Sequence, residues 1–332
     1  MKKTKVVCIG EALIDRIRNK SNKGFTDYLG GAPANVACAL RKLKIDSIFI
    51  GRLGSDDFGK KFIAKFNELD VNLDFLQLDN DLSTRVVNVD RNHYGDRFFA
   101  GFDTSSHSIF ADEALSKKLV EKVLPNLERF FLETKYLVTG TILLSSPISA
   151  ETIFFLFEQA NKLEVKIIID LNWRKVFWDY SSFSSEISKT SRVNLIKKFC
   201  NHANVLKLAK EEANLFFKDE NPFLISKQMS KRPDVIITDG SNPVAWYING
   251  LQGTTQIPDS QNIVDTTGAG DAFLAGLISK LISSGYPSNT LEIEDCIMFA
   301  SVCGLLTCLG EGAIEQQPDY EKVNKFLGSL IS

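Results

Sequence analysis

The stretch "NIVDTTGAGDAFLAGL" (residues 262–277) reads as a strand end, a glycine-rich turn and an amphipathic helix. Ile263 and Val264 close the strand, and Thr266, Thr267, Gly268, Ala269 and Gly270 make the turn. Phe273, Leu274, Leu277, Ile278 and Leu281 then recur at helical spacing. The first N–H groups of a helix lack intrahelical partners, so this turn aims donors at whatever lies beyond it. Gly268, Ala269 and Gly270 keep bulky side chains out of a ligand's way. Such an N-terminus favours an anion by about 0.3–1 kcal/mol when exposed and by about 2 kcal/mol when partly buried. Catalysis of a group transfer needs roughly 8–23 kcal/mol, so metal, positioning and closure have to supply the rest. Phosphate loops of this general shape end in a lysine, whereas here Asp271 stands in the first turn. The helix dipole favours its ionised form, which can orient an attacking hydroxyl and accept its proton. The plainer alternative is an acidic cap on a core helix, common in first turns.

The rest of the chain supplies a frame for that turn. Continuous apolar runs recur in "KVVCIG" (5–10), "SIFIG" (47–51), "KYLVTG" (135–140), "VKIIID" (165–170), "NVLKLA" (204–209) and "DVIITDG" (234–240). Runs of this kind are strands buried on both faces. Helical segments lie between them. "DDFGKKFIAKFNEL" carries Phe58, Phe62, Phe66 and Leu69 on one face, and "SAETIFFLFEQANKL" opens on Ser149 as an N-cap. The alternation predicts an α/β fold, doubly wound, with a mainly parallel sheet and helices on both faces.

Residues 12–31 and 84–102 break the rhythm and read as strands outside the main sheet, a small β flap inserted into one domain spanning 1–332. The second segment reads as a hairpin turning around Asn92–Asp96. "DYSSFSSEISKTS" (179–191) reads as a polar surface loop with a short helix.

Composition narrows the partner class. Among 332 residues, 39 Lys and Arg oppose 41 Asp and Glu, a net charge of −2. That balance leaves no basic footprint for nucleic acid and no polybasic membrane patch, so small molecules are the expected partners. Six scattered cysteines without a Cys-x-x-Cys pair fit a reducing compartment, and three unclustered histidines argue against a zinc site. "MKKTKVVCIGEAL" runs directly into acidic residues and reads as a first strand rather than a signal peptide. No apolar run reaches the ~18 residues of a membrane span, and a cytoplasmic protein is expected.

Four further segments bear on the role of Asp271. In "LGGAPANVACALRKL" (29–43), Gly30 and Gly31 permit close backbone approach and Pro33 suits a helix start. Asn35 in the first turn offers a donor and acceptors to a hydroxylated ligand, unless it merely caps. Glu11 and Asp15 follow the first strand, at the sheet edge where ligands bind. Asp15 reads either as an acceptor for two sugar hydroxyls or as a solvated surface acid, and Glu11 as the latter. In "DLNWR" (170–174), Asn172 is within reach of phosphate or metal-bound water, and Arg174 serves as an anion clamp or a structural ion pair. "IITDGSNPVAWY" (236–247) is a strand entering a glycine turn, suited to lie under a nucleotide.

Together "GGAPANVACALRKL" and "DTTGAGDAFLAGL" resemble the two signature segments of the ribokinase-like (PfkB) carbohydrate kinases. "IGRLGSDDFGKKF" and "GEGAIEQQPD" extend the similarity over nearly the whole chain, and "GGAPANVA" with "DLNWR" is most similar to the fructokinase branch. The resemblance implies a β-sheet lid over a sugar site, and transfer of the γ-phosphoryl of MgATP to a sugar hydroxyl. It implies Asp271 as base and the amides of Gly268, Ala269 and Gly270 as anion hole. Asp15, Gly30, Gly31 and Asn35 would bind sugar, with Arg97 and Arg174. Asn172, Lys207, Thr238, Gly240, Ser301 and the Gly312–Ala313 turn would lie on the nucleotide side. Glu212 would act on Mg2+ indirectly, and Asp265 and Thr267 fall where family members place a potassium-activating loop. A homodimer through lid strands is also implied.

The sequence departs from the family pattern at Ala209, which replaces the Asn of an Asn-x-x-Glu segment, and at Pro243 and Ser301, which replace a Gly and an Asn. The expected activity is fructose phosphorylation to fructose 6-phosphate. The alternatives are another acceptor (2-keto-3-deoxygluconate, another hexose or a nucleoside), selected by Arg85, Arg97 and Phe99, or a silent sugar-binding regulator.

Overall fold

The computed structural model describes residues 5–19, 24–91, 97–103, 109–179, 189–259 and 262–331. In chain order the strands are β1 (Lys5–Ile9), β2 (Leu13–Arg18), β3 (Phe25–Gly30), β4 (Ser47–Ile50), β5 (Arg52–Gly54), β6 (Gln77–Asp79) and β7 (Val86–Arg91). They continue as β8 (Arg97–Phe102), β9 (Thr134–Thr139), β10 (Lys166–Asp170), β11 (Val205–Ala209), β12 (Asp234–Asp239), β13 (Asn242–Ile248) and β14 (Leu251–Thr255). In β1, Val6 and Cys8 enter one core while Val7 and Ile9 enter another, and all are buried. A strand apolar on both faces has to lie inside a sheet covered on both sides.

It does. The eight-stranded sheet has the order β14-β13-β12-β11-β10-β9-β1-β4. From β4 through β12 neighbouring strands run parallel, and β13 and β14 close the sheet antiparallel. The helices α1 (Ala32–Lys42), α2 (Lys210–Phe217), α3 (Ala269–Ser283) and α4 (Thr290–Thr307) matter most for the site. α1, α3 and α4 pack on one face of the sheet, and the helix Pro147–Lys162 and α2 pack on the other. The fold is therefore the mainly parallel, two-faced α/β arrangement predicted from the alternating runs. The chain leaves β1 toward β4 on one side and returns to β9 on the other. That reversal opens a crevice at the carboxyl ends of the strands, the place where open α/β sheets bind ligands.

A second sheet has the order β3-β2-β7-β8. β2 pairs parallel with β7 (Asp15 opposite Val87) and antiparallel with β3 (Asp15 opposite Tyr28). The hairpin tip at Asn92–Asp96 and most of the loop at 179–191 lie outside the described residues.

Two local expectations are corrected. Ile263 and Val264 form no strand: they are exposed, and the amides of Val264 and Asp265 both donate to the Cys308 carbonyl at the end of α4. β-branched residues make a strand only where a neighbour offers a ladder, and among the described residues the partner here is a helix end. The helix expected to open on Ser149 begins earlier, with Ser146 at the N-cap and Pro147 leading. Ser149 is buried inside it, and its hydroxyl donates to the Asp112 carbonyl at 2.7 Å.

Gly31 sets where α1 begins. It is the N-cap at φ 100°, and a Cβ there would lie 2.5 Å from the Glu11 carbonyl oxygen. Gly31→Ala is expected to cost about 1–3 kcal/mol in denaturant unfolding, from strain and the backbone contact together. Gly328 has open space around it and lies inside a helix. Gly328→Ala should instead gain about 0.5–1 kcal/mol in the same measurement.

Candidate active site

The crevice is a cleft of about 460 Å³ between the carboxyl ends of the main sheet, α1, α3 and the start of β2. That volume suits a small polar molecule. α3 begins at Gly268, whose φ of 79° makes it a left-handed N-cap. A Cβ at Gly268 would lie 2.6 Å from that of Ala313, so only glycine lets the turn pass that loop. The amides of Gly270 and Asp271 precede the first i→i−4 bond of the helix, donated by Ala272 to Gly268, and have no partner within it. Ala269 is different: its amide donates to the Thr266 carbonyl at 3.2 Å.

Asp271 is 9% exposed and lines the cleft. Asn35 Nδ2, from the first turn of α1, donates to Asp271 Oδ2 at 2.8 Å. The helix dipole favours a fully ionised carboxylate. Burial overrides it and pushes the Asp271 pKa up to about 7, although Asn35, Lys207 and Arg174 each pull it down. A carboxyl poised there can both hold and release a proton near neutrality. Asn35 Oδ1 is buried and, among the described residues, has no hydrogen-bond partner, so it is a free acceptor beside Asp271. The Gln317 amide fixes this turn from behind, its Nε2 donating to the Asn35 carbonyl at 2.9 Å.

Asp15 lines the cleft from β2, and Gly30 makes room for it: a Cβ on Gly30 would sit 2.4 Å from Asp15 Oδ2. Gly31, Asn172, Arg174, Lys207, Glu212, Thr238 and Thr267 also line it. Arg174 is exposed at the rim, and among the described residues no ion pair engages it. Glu212 is spoken for on both oxygens, accepting from the amides of Trp173 and Ala209.

Asp265 stands just behind the turn. It accepts from the Thr267 hydroxyl at 2.7 Å and from the Gly312 amide at 3.3 Å, which ties the turn to the loop before Ala313. Tyr28 of β3 reaches the same loop, its hydroxyl donating to Glu311 Oε2 at 3.0 Å.

With this geometry in place, the comparisons with known proteins are direct. Residues 3–319 match the model of the pfkB family carbohydrate kinases. The chain belongs to the pfkB family. It is a sugar kinase, a phosphotransferase. A fructokinase of Salmonella typhimurium is 28% identical over 326 residues, covering 97% of this chain and 98% of that protein. The structure of a Xylella fastidiosa fructokinase with bound ATP superposes with a TM-score of 0.85 at 24% identity, over 99% of this chain and 100% of that one. A Vibrio cholerae fructokinase solved with fructose, ADP and calcium gives 0.81 at 24% identity, over 98% and 99%.

Ser301, Gly240, Gly312 and Asp265 do not line the cleft. Ser301 is buried in α4, where its hydroxyl donates to the Ile297 carbonyl at 2.8 Å. Gly240 turns at φ 56° in open surroundings beyond β12. Gly312 and Asp265 form the support behind α3 rather than the wall. Arg97 lies in β8, with its side chain outside the described residues.

Arg85 is no acceptor contact: it is 1% exposed and makes a bidentate pair with Asp112 at 3.0–3.2 Å. Phe102, Phe110 and Phe177 surround its guanidinium at 4.8–5.1 Å. Phe99, read beside it, packs edge-on against Phe102.

Glu11 was misread as a solvated acid. It is 1% exposed, lines the cleft, and accepts from the Ala32 amide at 3.0 Å. Burial, reinforced by Asp112 and Asp271, pushes its pKa up to about 8, so it keeps its proton at neutral pH. The signal was present in the apolar residues on both sides of it, "CIGEALI".

The Asp271 shift has a consequence for stability that is independent of turnover. Its folded pKa lies above the ordinary carboxylate value of 3.8, so the native state holds a proton that the unfolded chain has lost between those pH values. Stability from this group therefore falls as pH rises from about 4 to 7 and stays low above that. Asp271→Asn keeps an acceptor for Asn35 and removes the buried charge. Its Tm should match wild type near pH 4 and exceed it by on the order of a few degrees at pH 8 in calorimetry.

Proposed function

We propose that the chain transfers the γ-phosphoryl group of ATP to a hydroxyl of fructose, giving fructose 6-phosphate. The observation that carries this reading is Asp271: a buried carboxyl with a pKa near 7, held by Asn35 beside the open amides of a helix N-terminus. Such a group takes the proton of an incoming hydroxyl while the amides of Gly270 and its neighbours receive the phosphoryl oxygens. Asp15 and the free Asn35 Oδ1 accept from other sugar hydroxyls, with Gly31 allowing close approach. Arg174 at the rim and Asn172 meet the phosphates, and Thr238, Gly240 and the Gly312 loop lie toward the nucleotide. The sheet β3-β2-β7-β8, with its segments at about 12–31 and 84–102 of a single domain, acts as a lid that excludes water.

Mg2+ fits this donor set only as a companion of ATP. Among the described residues no group of three or more His, Cys, Asp or Glu is placed to hold a metal. A magnesium ion carried by phosphate oxygens and waters needs no such cage, and Glu212, with both oxygens on amides, would touch it through water alone. When bound it neutralises charge on the phosphates. A potassium ion at the Asp265–Thr267 turn would act on α3 through the same carboxylate that fixes Thr267 and Gly312. Six free, buried cysteines fit a reducing, cytoplasmic setting. Among the described residues no helix is long and apolar enough to cross a membrane.

A panel of sugars with MgATP tests the reading through coupled ADP release. Fructose should give the highest kcat/KM, rising with pH to a plateau above pH ~7 as Asp271 loses its proton. Asp271→Asn should lower kcat by about 10²–10⁴-fold. No sugar-dependent ADP from folded wild-type protein would end the kinase reading, and a better acceptor than fructose would replace the substrate.

We also infer a homodimer, because β3 and β8 are the outer strands of the second sheet and present edges that another copy would pair. Light scattering should give twice the chain mass of 37.0 kDa, and a monomer would overturn it.

A further inference from the structure

The turn before α3 lacks a lysine, yet a lysine stands against it. Lys207 lies in β11, in register with Asp170 at the end of β10. Its Nζ is 2.7 Å from Asp170 Oδ2, and the two side chains are 6% and 8% exposed. The same nitrogen is 3.3 Å from where a Cβ on Gly270 would be. A buried ammonium is thus pressed against the start of α3, on the wall of the cleft.

Stability does not account for this placement. A buried ion pair is commonly no more stabilising than apolar residues of the same volume. A cation at a helix N-terminus also opposes the dipole, which favours anions there. The Asp170 contact engages one of the three ammonium donors, and among the described residues no other hydrogen bond is made to it. Burial pulls the Lys207 pKa down, but Asp170, Glu212 and Asp271 outweigh it and hold the group charged. The arrangement makes sense when an anion lies between the ammonium and the helix start.

We propose that Lys207 is a catalytic residue of this phosphoryl transfer, its ammonium donating to a non-bridging oxygen of the γ-phosphoryl group as that group passes to the sugar. This rests on the kinase reading above. In the step, the bond from the γ-phosphorus to the β–γ bridging oxygen breaks, and its electron pair leaves with ADP. The bond from the sugar oxygen to the γ-phosphorus forms, and the hydroxyl proton goes to Asp271. Lys207 keeps its proton throughout and balances charge on the moving group. Asp170 is a positioning residue that fixes Nζ beside Gly270. β11 therefore supplies from the side the cation that phosphate loops carry in their own sequence.

The test compares wild type with Lys207→Met, Lys207→Arg and the double variant Lys207→Met with Asp170→Asn. The double variant removes both charges and leaves no unpaired buried carboxylate, so it separates catalysis from folding. Each protein is assayed for kcat, for the KM of the sugar and for its pH profile. Affinity is measured for ADP alone and for ADP with aluminium fluoride, an anionic mimic of the group in flight.

The double variant should lose about 10²–10³-fold in kcat, with the sugar KM and ADP affinity little changed. It should lose a similar factor in affinity for the aluminium fluoride complex, and Lys207→Arg should recover part of both. Near wild-type kcat in the double variant would overturn the proposal. So would a loss cured by raising the pH, which would make Lys207 only a tuner of Asp271. An equal loss in plain ADP affinity would reduce it to a binding group. An active wild type with an active double variant fails this proposal alone, whereas a wild type without sugar-dependent ADP release fails the kinase reading as well.

Discussion

One hydrogen bond joins two distant parts of this chain at the wall of the cleft. Asn35 and Asp271 are 236 residues apart in sequence and 2.8 Å apart in space. For them to meet, α1 and α3 must lie side by side on one face of the sheet with both N-termini at its carboxyl edge. Gly31 and Gly268 make that possible, each with a positive φ at an N-cap that has no room for a side chain. The strand order brings the two helices together, and the bond then fixes their first turns to within the length of one side chain. Asp15, Glu11 and Lys207 take their positions around that fixed pair.

The same pair explains the electrostatics of the cleft. Burial makes ionisation of Asp271 unfavourable, while the Asn35 donor, Lys207 and Arg174 favour it. The balance falls near neutral pH, between a plain surface acid and a permanently protonated core acid. Glu11, close by but flanked by further carboxyls at Asp112 and Asp271, falls on the protonated side. Burial is the largest cause at both positions, so two acids in one cleft hold their protons well above the ordinary carboxylate range. Arg85, sealed behind them by Asp112 and three phenylalanine rings, stabilises the wall without entering it.

What the sequence revealed and what it hid divide along the range of the interactions involved. The runs of β1, β9, β10, β11 and β12 declare their double-sided burial residue by residue, so the parallel sheet was legible. The turn at Gly268–Asp271 and the start of α1 are local signals, carried by glycine, proline and helical spacing. The misreadings were matters of depth and partnership. Glu11 looked like a surface acid because its burial comes from α1 arriving 21 positions later to cap it. Arg85 looked available to a ligand because its aromatic cage is assembled from positions 102, 110 and 177. Ile263 and Val264 have strand chemistry but no strand to pair with. The Lys207–Asp170 pair needed the register between β10 and β11, which no single segment contains.

The two sheets contribute unequally to the cleft. Asp271, Lys207, Asn172 and the amides of α3 all stand on the main sheet and its helices. Among the described residues, the second sheet gives the cleft Leu13 and Asp15 from β2. On the proposed reading, acceptor recognition is shared between Asp15 of the second sheet and Gly31 and Asn35 at the start of α1, which belong to the phosphoryl-handling frame. A new acceptor would therefore have to be accommodated without disturbing the Asn35–Asp271 bond, which also holds the proposed base.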